Sequence, residues 1–152
     1  MHATYTVAAQ RSRRRVGAVL RADPLDLNGV LEAVLPLDAE RRGDWSIWFA
    51  FWTEALTSER LRADQRGHSR STVERFAGLL RALAAEGHAL TCPVDEAAHR
   101  LGALVQGIAA KAMFDRHRWD ATRQRTTLAG ELSLRGLPTR LTDSSAKAVV
   151  RR

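Results

Sequence analysis

Trp45, Trp48, Phe49, Trp52 and Leu56 fall at i, i+3, i+4, i+7 and i+11, with Ile47 and Phe51 between them. That spacing gathers the bulk of the segment on one side of a helix, and the two extra apolar residues carry it round to the other side. A helix apolar on most of its surface belongs in the middle of something. The segment therefore predicts a helix at the centre of a helical domain, with Asp38 as its N-cap and Glu40 in its first turn.

The rest of the chain keeps the same period. Tyr5 to Leu20 reads as a first helix with Val7, Val16, Val19 and Leu20 apolar, closed by Asp23-Pro24. A short second helix runs from Leu27 to Leu35 and stops at Pro36. Ser58 opens a long fourth helix through Val73, Phe76, Leu80 and Leu83 to Gly87, a left-handed stop. Its first half, Arg62 to Arg75, is polar and is expected to project beyond the core. Pro93 and Asp95 introduce a strongly amphipathic fifth helix, Glu96 to Phe114, and Asp120 caps a sixth through Leu134. Gly136-Leu137-Pro138 ends it. No run alternates with the period of a strand. The expectation is an all-α fold of about six helices, residues 1–136 forming one domain and 137–152 a disordered basic tail. A chain of 152 residues suits such a single domain.

The net charge of +7 invites a nucleic-acid reading until it is located. Arg11, Arg13, Arg14, Arg15 and Arg21 stand in a stretch with no acid, and Arg135, Arg140, Lys147, Arg151 and Arg152 face Asp143 alone. Everything between these ends is close to neutral. Such ends attract polyanions without reading sequence, and a solvated helix face accounts for them equally well.

Signatures of catalysis are missing. There is no Gly-rich phosphate loop, no G-x-S-x-G and no His-Glu-x-x-His. The histidines, His2, His68, His88, His99 and His117, never stand three or four apart, so no metal site is expected. Cys92 is the single cysteine and sits in a Thr-Cys-Pro turn without a basic neighbour, which excludes an internal disulfide and points to an unreactive thiol in a reducing cytoplasm. No apolar run approaches the roughly 18 residues of a membrane span. Neither an enzyme nor a cofactor is expected.

Three of the four tryptophans lie between Trp45 and Trp52. Such a cluster forms either a bulky core or the wall of a ligand pocket, where aromatic surface meets a few polar groups. Glu54 on the same helix and His99 and Gln106 on the fifth are polar candidates. A cation held over an indole near Glu54 is one form this takes.

Two blocks of the chain resemble a known family. V-L-P-L-D-A-E-R-R-G-D-W-S-I-W-F-A-F-W-T-E-A-L, Val34 to Leu56, is similar to the C-terminal domain of TetR-type transcriptional regulators of the BetI-like branch. So is R-L-G-A-L-V-Q-G-I-A-A-K-A-M-F-D, Arg100 to Asp115, followed by Trp119 and Arg123-Gln124-Arg125. The order and spacing of both blocks agree, over about Val7 to Leu134. The resemblance implies an orthogonal helical bundle that encloses an effector pocket and dimerises through its last two helices. It places Trp48, Trp52, Glu54, Phe76, His99 and Gln106 at the pocket for an unknown small-molecule effector. It places Leu101, Leu104, Val105, Ile108, Ala112, Arg125, Leu128 and Leu132 at a homodimer interface. Many relatives have an acid-Gly pair where this chain has Gln106-Gly107, which removes a carboxylate from that position. Met1 begins inside what resembles the helix after the DNA-reading unit, so operator contact is expected only through a helix-turn-helix outside this sequence. The alternative from another class is a stand-alone interaction protein that dimerises with full-length relatives and blocks their DNA binding.

Overall fold

The computed structural model describes residues 2–139, which form α1 (His2–Ala22), α2 (Leu27–Val34), α3 (Ala39–Ala55), α4 (Glu59–Ala85), α5 (Val94–Phe114) and α6 (Ala121–Leu134). Among the described residues there is no strand. The class is all-α, as the periodicity implies.

Local chemistry sets the ends of these helices. Asp26, Asp38, Ser58 and Asp120 each accept a backbone N–H of the first turn, from Gly29, Arg41, Leu61 and Arg123 respectively. These are orphan donors that the helices cannot satisfy themselves. At the other end, Gly87 (φ 96°) and Gly136 (φ 68°) take the left-handed conformation. The N–H of His88 then donates to the Leu83 carbonyl at 3.1 Å and that of Leu137 to the Leu132 carbonyl at 3.0 Å. Both are the six-to-one bond of a left-handed helix stop.

That second stop corrects the domain boundary. The turn at Gly136 directs Leu137 back onto the bundle, where it is buried in the main core, and Thr139 is buried too. The compact unit therefore reaches at least Thr139; residues 140–152 of the expected tail lie outside the described residues.

The main core joins α2, α4, α5 and α6. Leu27, Leu31, Leu80, Leu128 and Leu132 are fully enclosed there, with Leu83 and Leu101 at 1% exposure. Helix α4 packs along α5, α1 lies against α2 and α3, and α6 closes over α5 and α2. Helix α3 is less enclosed than its composition predicts. Trp45 and Phe51 are buried, yet Trp48, Phe49 and Trp52 are only half-buried and Leu56 is 75% exposed at the helix end. The apolar ring of α3 is not covered on all sides by helices.

Two polar contacts hold α3 in place. The Trp45 indole N–H donates to the Val34 carbonyl at 2.7 Å, tying α3 to the end of α2. Asp44, with no exposed surface, is gripped by two arginines of α1. Arg11 donates through Nε at 2.9 Å, and through Nη2, to Oδ1, and Arg15 donates through Nη2 to Oδ2 at 2.7 Å. Arg15 also reaches Glu40 Oε1 at 2.7 Å. Two of the arginines in the basic run are thus a clamp between helices and not a surface for polyanions.

Candidate functional site

A cleft of about 700 Å³ opens between α1, α3, α4 and α5. One wall is the indole row of α3, Trp45, Trp48 and Trp52, continued by Phe76 of α4 and Val105 of α5. The rings support one another: Trp45 meets Trp48 edge-on at 5.0 Å and Trp52 edge-on at 5.9 Å between centroids. Edge-to-face pairs of this kind fix ring orientation beyond what area burial alone does.

The opposite wall is polar and comes from the first half of α4, with Gln65, His68, Ser69, Ser71, Thr72 and Arg75. This half of α4 does not project beyond the core as its composition predicts. It packs against α3 and turns Gln65, His68 and Thr72 to the cleft, while Arg62, Arg66 and Arg70 are exposed. Its anchor is His68, whose ring lies 4.7 Å from Tyr5 and 6.4 Å from Phe51. Tyr5 in turn lies 4.4 Å from Phe51, so α1, α3 and α4 meet in one aromatic knot at the floor. Burial pushes the Tyr5 phenol up to about 12, against the opposing pull of the Arg13 charge. The phenol is neutral at every physiological pH. Helix α1 adds Ser12 and Arg13 to the rim.

The residues singled out in the sequence divide as follows. Trp48, Trp52, Phe76 and Gln106 line the cleft together. Glu54 does not: it is exposed, because at two residues beyond Trp52 it lies about 180° around α3 from the indole row. His99 does not either. It is exposed and precedes Gly102, the first α5 residue at the cleft, by nearly one helical turn. Tyr5, Arg13, Gln65, His68 and Arg75 were not anticipated. For Gln65, His68 and Arg75 the signal was present as polar residues at helical spacing along α4, but only a facing aromatic wall distinguishes such a stripe from a solvated face.

The expected interface set is corrected by burial. Leu101, Val105, Ile108, Ala112, Leu128 and Leu132 are each at most 5% exposed within the single chain, and Leu104 packs against the same core. Helices α4, α6 and α3 cover those buried residues of α5, while Leu104 stays half-buried. Arg125 is exposed and paired with Glu32 at 3.3 Å. What α5 and α6 leave outward is a different strip. Gly107 and Gly130 have nothing within 4 Å of where a Cβ would stand, and Phe114 and Leu134 are 88% and 80% exposed.

No cluster of three or more His, Cys, Asp or Glu side chains suited to a metal occurs among the described residues. Nor is any described helix long and apolar enough to cross a membrane.

Among curated proteins none matches the sequence. A solved structure that it resembles is a transcriptional regulator from Rhodococcus sp. Rha1, with a TM-score of 0.68 over 86% of this chain and 80% of that one, at 21% identity. That likeness establishes the fold. The family model for the C-terminal domain of BetI-type transcriptional repressors matches residues 26–135, the span that holds α2 to α6 and the indole row. The chain therefore belongs to the BetI-type family of transcriptional repressors, as its C-terminal domain.

Proposed function

We propose that this domain senses a small molecule in the α1–α3–α4–α5 cleft and pairs with a second copy through α5 and α6. It does so as the effector-binding and dimerising part of a cytoplasmic repressor. The observation that carries the sensing role is the cleft itself. Its volume of about 700 Å³ lies within the range of small-molecule sites, and it sets an indole wall against a polar one. Trp48 and Trp52, both half-buried, present indole surface to it. No step in this role is catalytic. Operator contact belongs to a helix-turn-helix unit distinct from the helices described, so effector binding acts on DNA only through the joined protein.

Pairing is supported by the outward strip of α5. Ala103, Gly107, Ala110 and Phe114 fall within about 60° of one another around the helix. A two-fold interface lets such a patch satisfy itself, and small residues let two helices approach closely.

Indole emission tests the sensing role directly. Titration with a panel of apolar and amphiphilic small molecules should give a saturable change that disappears in Trp48→Ala while circular dichroism stays helical. Emission indifferent to the whole panel would remove the pocket. For pairing, light scattering on a sizing column should give twice the mass of one chain at micromolar concentration.

A further inference from the structure

The cleft has a chemical preference written into its charges. Arg13 from α1 and Arg75 from α4 both line it, and among the described residues neither has a carboxylate partner. Their neighbours differ. Arg11 and Arg15, two residues either side of Arg13, are committed to Asp44 on the other side of α1. Arg75 donates only to the Ser71 carbonyl of its own helix, at 3.2 Å. Burial pushes its guanidinium below the ordinary value, and the charge of Arg13 pushes it the same way. No carboxylate counters either effect. Arg75 is exposed by surface area and is among the residues that line the cleft.

Two guanidiniums from different helices, repelling one another across a partly dry cleft, are relieved by an anion placed between them. Guanidinium is also the side chain best shaped to take a carboxylate through paired N–H donors. Two further groups face the same space. Gln65 has its Oε1 buried with no hydrogen-bond partner, an amide whose two ends are exchanged by a half-turn. Turned over, it donates to a carboxylate. The Tyr5 phenol remains an O–H donor. Glu74 is the one carboxylate on the cleft lining, and it leaves the lining with an excess of one positive charge against the two arginines. The lining also includes Trp45, Trp48, Trp52 and Phe76, a surface for a flat or aliphatic body.

We propose that the cleft takes an amphiphilic carboxylate, its anionic group between Arg13 and Arg75 and its apolar body against the α3 indoles. This deepens the effector-pocket reading and rests on it. It is opposite in charge to one form the site could take from sequence, a cation over an indole near Glu54; Glu54 is exposed and off the cleft lining.

An isosteric probe series separates the possibilities: 2-naphthoate, neutral 2-naphthamide and 2-naphthyltrimethylammonium, each titrated by calorimetry into the full chain. The naphthoate should bind at least tenfold more tightly than the amide. Arg13→Gln and Arg75→Gln should each abolish most of that ratio, weakening naphthoate far more than amide, and Arg75→Lys should restore part of it. Neither arginine holds the fold together through an ion pair, so the variants should melt like the parent; a variant that unfolds is replaced by the lysine form at the same site. Equal affinity for naphthoate and amide, or tightest binding of the trimethylammonium, overturns the carboxylate assignment and leaves the pocket standing. Absence of binding by all three, with indole emission unmoved, overturns the pocket and the assignment together.

Discussion

Replacing Asp44 by alanine removes the one fully buried carboxylate among the described residues and leaves Arg15 facing the space between α1 and α3 without its counter-charge. The Arg15 side chain is 19% exposed and Asp44 is not exposed at all, so water cannot take over the pairing in place. Breaking a buried pair by deleting one partner costs about 3–5 kcal/mol. Arg15 keeps its link to Glu40 and some water, which puts the loss at the lower end, about 3 kcal/mol. A domain of this size holds about 5–15 kcal/mol in total, so that is a fifth of it or more. At about 2–4 °C per kcal/mol, the melting temperature should fall by roughly 6–12 °C. Asp44→Asn keeps the shape and loses the charge, and should fall between the parent and the alanine form. Thermal unfolding followed by circular dichroism and by indole emission measures all three, and an Asp44→Ala, Arg15→Ala cycle isolates the coupling. A fall of less than about 2 °C in Asp44→Ala, or a coupling indistinguishable from zero, would refute the clamp between α1 and α3.

The pairing proposed for the outward strip of α5 makes two substitutions on one helix behave oppositely. Phe114→Asp, on a residue 88% exposed, should leave the fold intact and give a monomer by light scattering. Val105→Asp, at 5% exposure, should unfold the chain by several kcal/mol instead of separating subunits. Gly136→Ala forces a Cβ onto a left-handed residue (φ 68°) and should cost about 1–2 kcal/mol, whereas Gly67→Ala inside α4, with open space around it, should stabilise by about 0.5–1 kcal/mol; thermal melts read both. Glu59 is held below the ordinary carboxylate range by a hydrogen bond from Arg66 and then by the charge of Arg62. A depressed folded value contributes stability above the unfolded value of about 4.3 and loses it as acid protonates the group. The gap in urea midpoint between the parent and Glu59→Gln should therefore be present at neutral pH and shrink as the pH falls below about 4.3; a gap that persists undiminished in acid refutes the pairing.

Local signals in the sequence were sufficient for the fold. Asp38, Ser58 and Asp120 as caps and Gly87 and Gly136 as stops appear in the structure where the residues imply them, because a cap is satisfied within four residues and needs no distant partner. The helical period of the apolar residues placed the same six elements. The two blocks around Trp45 and Gly107 led to the family for a related reason: a motif is a local pattern.

Which faces are covered was decided only by the tertiary structure. Periodicity shows that α5 has two apolar sides, but not that α4, α6 and α3 of the same chain cover Leu101, Val105 and Ile108, which read as interface and proved to be core. It shows that α4 begins polar, but not that this half faces a row of indoles across a cleft. Arg11, Arg13 and Arg15 read as one basic run, yet two of them turn to Asp44 and the third, 200° further round α1, reaches the cleft. Burial, pairing and charge at a site depend on residues far apart in the chain. The sequence alone carries the propensities of each helix, and only packing fixes what each face meets.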